Sequence, residues 1–229
     1  VGNIAWTRRN GYAAPDIRNA SMCLSFDGTD DYVLASQTAV GTYPFTVSFW
    51  CNSQETDAFS EAFALNNLTG ATQYLLGRVA NRFMTFATQH GGAYQELGSV
   101  SVDLGRWYHF AVVSLAYNDT RLYVNGTQFA TNTVSIPFSA GAFETVYLGR
   151  LTTTYGKNKL AAFSLWDSAL TEAQVQALAA ANPPDVSSTS LKLYYPLNEG
   201  TGASVKDRSL GGFNATCTNT PTWVGRDIP

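Results

Sequence analysis

The stretch Phe45-Thr-Val-Ser-Phe-Trp-Cys51 alternates with period two, so Phe45, Val47, Phe49 and Cys51 share one face of an extended strand while Thr46, Ser48 and Trp50 share the other. A helix would scatter these side chains around its circumference; a strand lays the apolar set on a core. Outward from it, short segments rich in Val, Tyr, Phe, Thr and Trp recur, separated by Gly, Asn and Asp, the pattern of an antiparallel sandwich. Strands are expected at 22–26, 32–34, 45–51, 74–76, 83–88, 93–97, 107–115, 121–124, 127–131, 145–148, 159–165 and 191–196. Asn125-Gly126 tolerates positive φ and predicts a two-residue type I′ hairpin. A single helix is expected over 171–181, with Thr171 as its cap, Val175 and Leu178 on one side, and Asn182-Pro183-Pro184 as its stop.

The chain has 229 residues, a length that one large all-β sandwich commonly reaches. Charged residues make up 14%, against about 25% in an average soluble protein, and Thr, Ser, Asn, Gly and Tyr fill the difference. Such a composition suits a β-protein that works outside the cell, at a cell surface or on a virion. The formal net charge of -3 leaves no basic footprint for nucleic acid or an anionic membrane, and no apolar run approaches the ~18 residues of a membrane span. The three cysteines, Cys23, Cys51 and Cys217, lack the spacing of a zinc site. Asn19, Asn67, Asn118, Asn125 and Asn214 each open an Asn-x-Ser/Thr sequon, an acceptor for N-glycosylation if the source is eukaryotic.

Five motifs resemble those of the laminin G-like jelly rolls of the concanavalin A-like superfamily. Leu24-Ser-Phe-Asp-Gly-Thr-Asp-Asp-Tyr-Val33 is similar to the opening strand and its Asp-Gly turn, and Phe45 to Trp50 to the next strand. Gly105-Arg-Trp-Tyr-His-Phe-Ala111 and Leu122-Tyr-Val-Asn-Gly126 resemble a later strand and its hairpin. Leu148-Gly-Arg150, Ala161 to Trp166 and Ala169 to Leu178 resemble the closing strand and short helix. The resemblance implies an all-β, two-sheet antiparallel jelly roll with one short helix. The segments from Tyr194 to Gly202 and Asp207 to Thr216 resemble one that usually precedes the opening strand. Here they follow the helix, either as a circular permutation or as the start of a following repeat. The expectation is one domain over 1–229, with 191–229 completing the sandwich, since 39 residues cannot build a core alone. By the same analogy the strand at Met22 neighbours the segment at Ala215, which implies a Cys23–Cys217 disulfide and leaves Cys51 a buried thiol.

The superfamily includes glucanases with paired carboxylates on one strand. Glu55-Thr-Asp57-Ala-Phe-Ser-Glu61 is one residue off that spacing and reads as a solvated loop, so no catalytic residue is assigned. His109 reads as a structural hydrogen-bonding residue, and Trp50, Trp107 and Trp166 as structural rings. Asp27, Asp30 and Asp31 cluster hard oxygen donors of the kind calcium prefers, with backbone carbonyls or a distant loop such as that bearing Asp207 to complete the shell. Many relatives hold a structural calcium, so calcium is the one cofactor expected. Among 5 Trp, 12 Tyr and 13 Phe, most must be core; Tyr74, Tyr94, Tyr117 and Tyr155 lie at strand ends or in loops with polar neighbours and are the candidate contact surface. The expected function is a non-catalytic surface module that binds glycan or protein partners. The alternative is a self-associating structural subunit of a filament, capsid decoration or other extracellular assembly.

Overall fold

The computed structural model describes residues 22–36, 40, 42–54, 59–66, 74–90, 93–133 and 143–226. Among these residues the strands form two eight-stranded antiparallel sheets. The first sheet runs β10 (Thr127–Asn132), β9 (Asp119–Val124), β8 (Trp107–Ala116), β3 (Phe45–Ser53), β14 (Asn158–Trp166), β1 (Met22–Ser25) and β18 (Thr222–Gly225), with β15 (Leu191–Tyr195) also on β14. The second runs β16 (Ser204–Val205), β17 (Ala215–Thr218), β2 (Tyr32–Ala35), β11 (Thr145–Leu148), β4 (Ser60–Asn66), β5 (Tyr74–Ala80), β6 (Phe83–His90) and β7 (Ala93–Ser101). A hairpin of β12 (Arg150–Leu151) and β13 (Thr154–Tyr155) stands apart, and helix α1 (Glu172–Ala179) follows β14.

The alternation of β3 does what its sequence dictates. Phe45, Val47, Phe49 and Cys51 enter the inter-sheet core, where Phe49 lies 5.1 Å from the Phe63 ring, 5.7 Å from Phe110 and 6.5 Å from both Phe86 and Phe163. Thr46, Ser48 and Trp50 face outward yet are also buried, because α1 and the following segment roof that side of the first sheet. Val175 and Leu178 supply the helix's apolar side, and a capping box closes its start: Thr171 Oγ1 accepts the Gln174 N–H at 3.3 Å and Gln174 Oε1 accepts the Thr171 N–H at 2.8 Å. Asn125 (φ 48°) and Gly126 (φ 81°) form the expected hairpin turn, pinned where Asn125 Oδ1 accepts the His109 N–H at 2.9 Å. His109 is buried, its Nε2 is 2.8 Å from Ser48 Oγ, and desolvation pushes its pKa down to about 3, so the ring is a neutral structural element.

Residues 191–226 contribute to both sheets. β15 pairs with the C-terminal half of β14, in line with β1 on the other half of the same strand; β17 pairs with β2, and β18 with β1. Asp207 organises the connecting loop: Oδ1 accepts the N–H groups of Tyr194 and Ser209, and Oδ2 accepts the Phe213 N–H and the Ser209 hydroxyl.

The Cys23–Cys217 bridge does not form, and all three cysteines are free thiols. The C-terminal strand beside β1 is β18, so Val224 rather than Cys217 lies opposite Cys23, while Cys217 sits opposite Val33 in the other sheet. Cys23 packs outside the first sheet and Cys217 packs between the sheets, so a sheet separates the two sulfurs. Cys51 is buried, as expected of a core thiol.

Candidate functional site

Each sheet has an outer face, and the two differ. That of the first sheet is closed by α1. A cleft of about 210 Å³ remains beside the helix, lined by Trp166, Leu170, Ala177, Leu178, Pro183 and Pro184 among others. It is smaller than the roughly 300 Å³ at which small-molecule sites begin.

The outer face of the second sheet carries rings. Because Val33, Phe63, Leu65, Leu75, Phe86, Val146 and Leu148 point into the core, the alternate positions Tyr32, Tyr147, Ala64, Leu76, Arg78 and Ala87 point away from it. Strand register sets Tyr147, Ala64, Leu76 and Ala87 in one row across four strands. Ala64, Leu76 and Ala87, with Tyr147 packed against them, make an apolar lane in which the β12–β13 hairpin is seated through buried Leu151. The hairpin is tied down where the Gly149 N–H donates to Ala62 O at 3.0 Å and Thr154 Oγ1 donates to Glu61 Oε1 at 3.0 Å.

The hairpin brings Arg150 and Tyr155 to the β2 and β11 side of this lane. The Arg150 guanidinium lies 4.5 Å from the Tyr32 ring centroid, 5.5 Å from Tyr147 and 5.6 Å from Tyr155. The Tyr32 ring is 5.9 Å from Tyr147 and 6.5 Å from Tyr155. On the other side Arg78 lies 4.0 Å over the Phe59 ring, and its Nη2 donates to the Tyr94 hydroxyl at 3.0 Å. Phe59 and Tyr94 are exposed.

Tyr94 and Tyr155 therefore share one face. Tyr74 opens β5 in the same sheet, its side chain lying outside the described residues. Tyr117 is exposed in the turn between β8 and β9, on the other sheet, and does not join them. Tyr32, Tyr147, Arg150, Arg78 and Phe59 escaped the sequence reading. Their signal was the alternation beside Val33, Val146 and Leu148, legible only once the open face is known. Asn118 and Asn214 are exposed, although Asn214 Oδ1 accepts the Asp207 N–H; Asn19 and Asn67 lie outside the described residues.

Glu61 corrects the loop expected over 55–61. It lies in β4 with no solvent exposure, 3.9 Å from Arg78, and burial raises its pKa to about 7. The register shift between Glu61 and Phe63 turns it to the outer face, and the hairpin then covers it. A carboxyl shut in this way cannot reach a glycosidic bond. Glu55 and Asp57 lie outside the described residues.

The carboxylates of Asp27, Asp30 and Asp31 converge, with one oxygen of each within 4.8 Å of the others. Asp31 is nearly buried; desolvation, then the charge of Asp27, raises its pKa to about 6. No ion pair among the described residues reaches the three. Hard oxygen donors with uncompensated charge fit calcium, with the rest of its six to eight ligands left to carbonyls and water. Asp207 is not among them, since its four hydrogen bonds hold the 206–213 loop.

The family model described as the concanavalin A-like lectin/glucanases superfamily, in its laminin G form, matches residues 27–176. The chain belongs to this superfamily. No curated protein matches it in sequence. Among solved structures, this superfamily member is similar to a protein from Bacteroides ovatus proposed to bind carbohydrate, at 20% identity and a TM-score of 0.68, with 92% of this chain covered. The chain spans 61% of that structure's length. It is similar along 93% of its length to 97% of a heptameric SAP-like pentraxin from Limulus polyphemus, at 18% identity and a TM-score of 0.65. Domain 4 of an extracellular arabinanase from Geobacillus stearothermophilus, solved with arabinotriose, is also similar, at 18% identity and a TM-score of 0.55, with 69% of this chain and 76% of that one covered. At these identities the likeness is one of fold.

Proposed function

We propose that the protein is a non-catalytic carbohydrate-binding module displayed outside the cell or on a virion, and that it takes its glycan on the outer face of the second sheet. The observation that carries this reading is the group of Tyr32, Tyr147 and Tyr155 on the one outer face that the helix leaves open. Such rings offer flat apolar surfaces to a sugar's C–H face and hydroxyls to its rim. The buried state of Glu61 supports a binding rather than a hydrolytic role. The Bacteroides ovatus protein and the arabinanase domain support carbohydrate as the ligand, and the latter's parent enzyme is extracellular. The test is a panel of immobilised neutral and acidic polysaccharides: at least one retains the protein, and prolonged incubation releases no reducing ends. Retention by none, or turnover of any, contradicts the proposal.

We also propose structural calcium at Asp27, Asp30 and Asp31, pinning the turn into β2. Added calcium raises the melting temperature and chelator lowers it. Protons compete for Asp31, so calcium affinity falls as pH drops through about 6. A melting temperature indifferent to both reagents at pH 7.5 excludes the site.

A further inference from the structure

We propose that Arg150 is an anion-binding residue and that the preferred ligand is an acidic glycan, one carrying carboxylate or sulfate groups. This deepens the carbohydrate reading and rests on it for the sugar, but not for the anion. Arg78 pairs with Glu61, Arg106 with Asp103 and Arg121 with Asp119. Arg150 is partly buried and, among the described residues, has no carboxylate partner. Its Nε donates to Thr152 O at 2.7 Å, which leaves the donors on Nη1 and Nη2 without an acceptor among those residues.

What surrounds it is of one kind. The hydroxyls of Tyr32, Tyr147 and Tyr155 make no hydrogen bond among the described residues, so three phenolic O–H groups join the guanidinium on the same patch. Aromatic faces satisfy the cation only partially, leaving its in-plane donors unused. A neutral sugar hydroxyl suits such a patch less well than a planar carboxylate or a sulfate ester, which accept two parallel N–H bonds from one guanidinium.

The group is also held in place. Arg150 follows Gly149 (φ 79°), and the hairpin is fixed by the Gly149 N–H to Ala62 O, the Gly156 N–H to Gly149 O and the Thr154 hydroxyl to Glu61. Stacking on Tyr32 and the Nε bond to Thr152 O set the guanidinium plane, so little ordering is left to be done when an anion arrives.

The experiment compares the full chain with Arg150→Gln and Arg150→Lys against polygalacturonate, dextran sulfate and unmodified dextran, by titration calorimetry at low and high salt. Thermal protection by sodium sulfate and by sodium glucuronate is measured in parallel. At least one acidic polymer is expected to bind ~10-fold or more tightly than dextran, with that preference lost in Arg150→Gln and partly kept in Arg150→Lys. Polygalacturonate alone assigns the carboxylate, and dextran sulfate alone the sulfate. Equal affinity for dextran and the acidic polymers, or an Arg150→Gln variant of unchanged preference, overturns the inference while leaving the carbohydrate reading in place. Protection by the small anions that Arg150→Gln abolishes, without binding to any polymer, supports the anion site and removes the carbohydrate reading. Neither protection nor polymer binding overturns both. Melting curves of the two variants show whether each is folded, and the lysine variant serves if the glutamine variant is not.

Discussion

Truncation after Ser190 abolishes cooperative folding. The removed segment carries Leu191, Leu193, Tyr194, Tyr195 and Leu197, none more than 1% exposed, together with Val205 and Ala215 in the inter-sheet core. Full burial of one such large side chain is worth about 1.5–3 kcal/mol, so losing five removes an amount comparable to the whole of the roughly 5–15 kcal/mol by which a domain is stable. The loss is compounded at the edges. Without β15, β17 and β18, the strands β14, β2 and β1 present unpaired backbone, a template for aggregation. The expected product is insoluble or binds a hydrophobic dye without a cooperative thermal transition. A truncated chain that stays soluble and monomeric and melts cooperatively would contradict the account of the core.

Phe49→Ala lowers stability by about 3–5 kcal/mol, the range found when a buried Phe is cut to Ala and the cavity does not collapse. Phe49 is completely buried and its ring meets four other phenylalanine rings from both sheets, on β4, β6, β8 and β14. Central strands of both sheets thus frame the void, and neither sheet can move to fill it alone. Urea unfolding reads the effect as a lower midpoint at unchanged slope. Phe49→Leu, which keeps most of the volume, costs distinctly less. A fall of under about 1 kcal/mol for Phe49→Ala would mean that the sheets close over the gap, contrary to the dense packing of protein interiors.

The period of two in β3 and the Asn125-Gly126 turn made the sandwich legible from local chemistry alone, since both are properties of neighbouring residues. The strand β4 was not legible. Ser60 to Asn66 lacks the β-branched residues that mark strands, and its state follows from pairing with β5 and β11 and from the packing of Ala64 against Leu151. Glu61 was misplaced for a related reason: a carboxylate in a polar stretch reads as solvated, and only the hairpin folded over it, whose Thr154 lies 93 residues away, reverses that. The binding face was half visible. Tyr94 and Tyr155 stood out by their polar neighbours, but Tyr117 has the same local signature and lies on the other sheet. Tyr32 and Tyr147 looked like ordinary strand residues, because nothing in a sequence says which outer face a helix will cover. The disulfide failed on register: analogy placed a C-terminal strand beside Met22, and the strand there is Thr222–Gly225, seven residues beyond the one that bears Cys217.

The claim that the outer face of the second sheet is the carbohydrate surface is tested most directly by comparing single tyrosine variants on the polysaccharide that the protein retains best. Tyr32→Ala and Tyr147→Ala are expected to weaken binding by ~10-fold or more while preserving the melting transition, and Tyr117→Ala, on the β8–β9 turn of the first sheet, is expected to bind like the parent. Unchanged binding by folded Tyr32→Ala and Tyr147→Ala, or a loss confined to Tyr117→Ala, would place the ligand elsewhere and contradict the account.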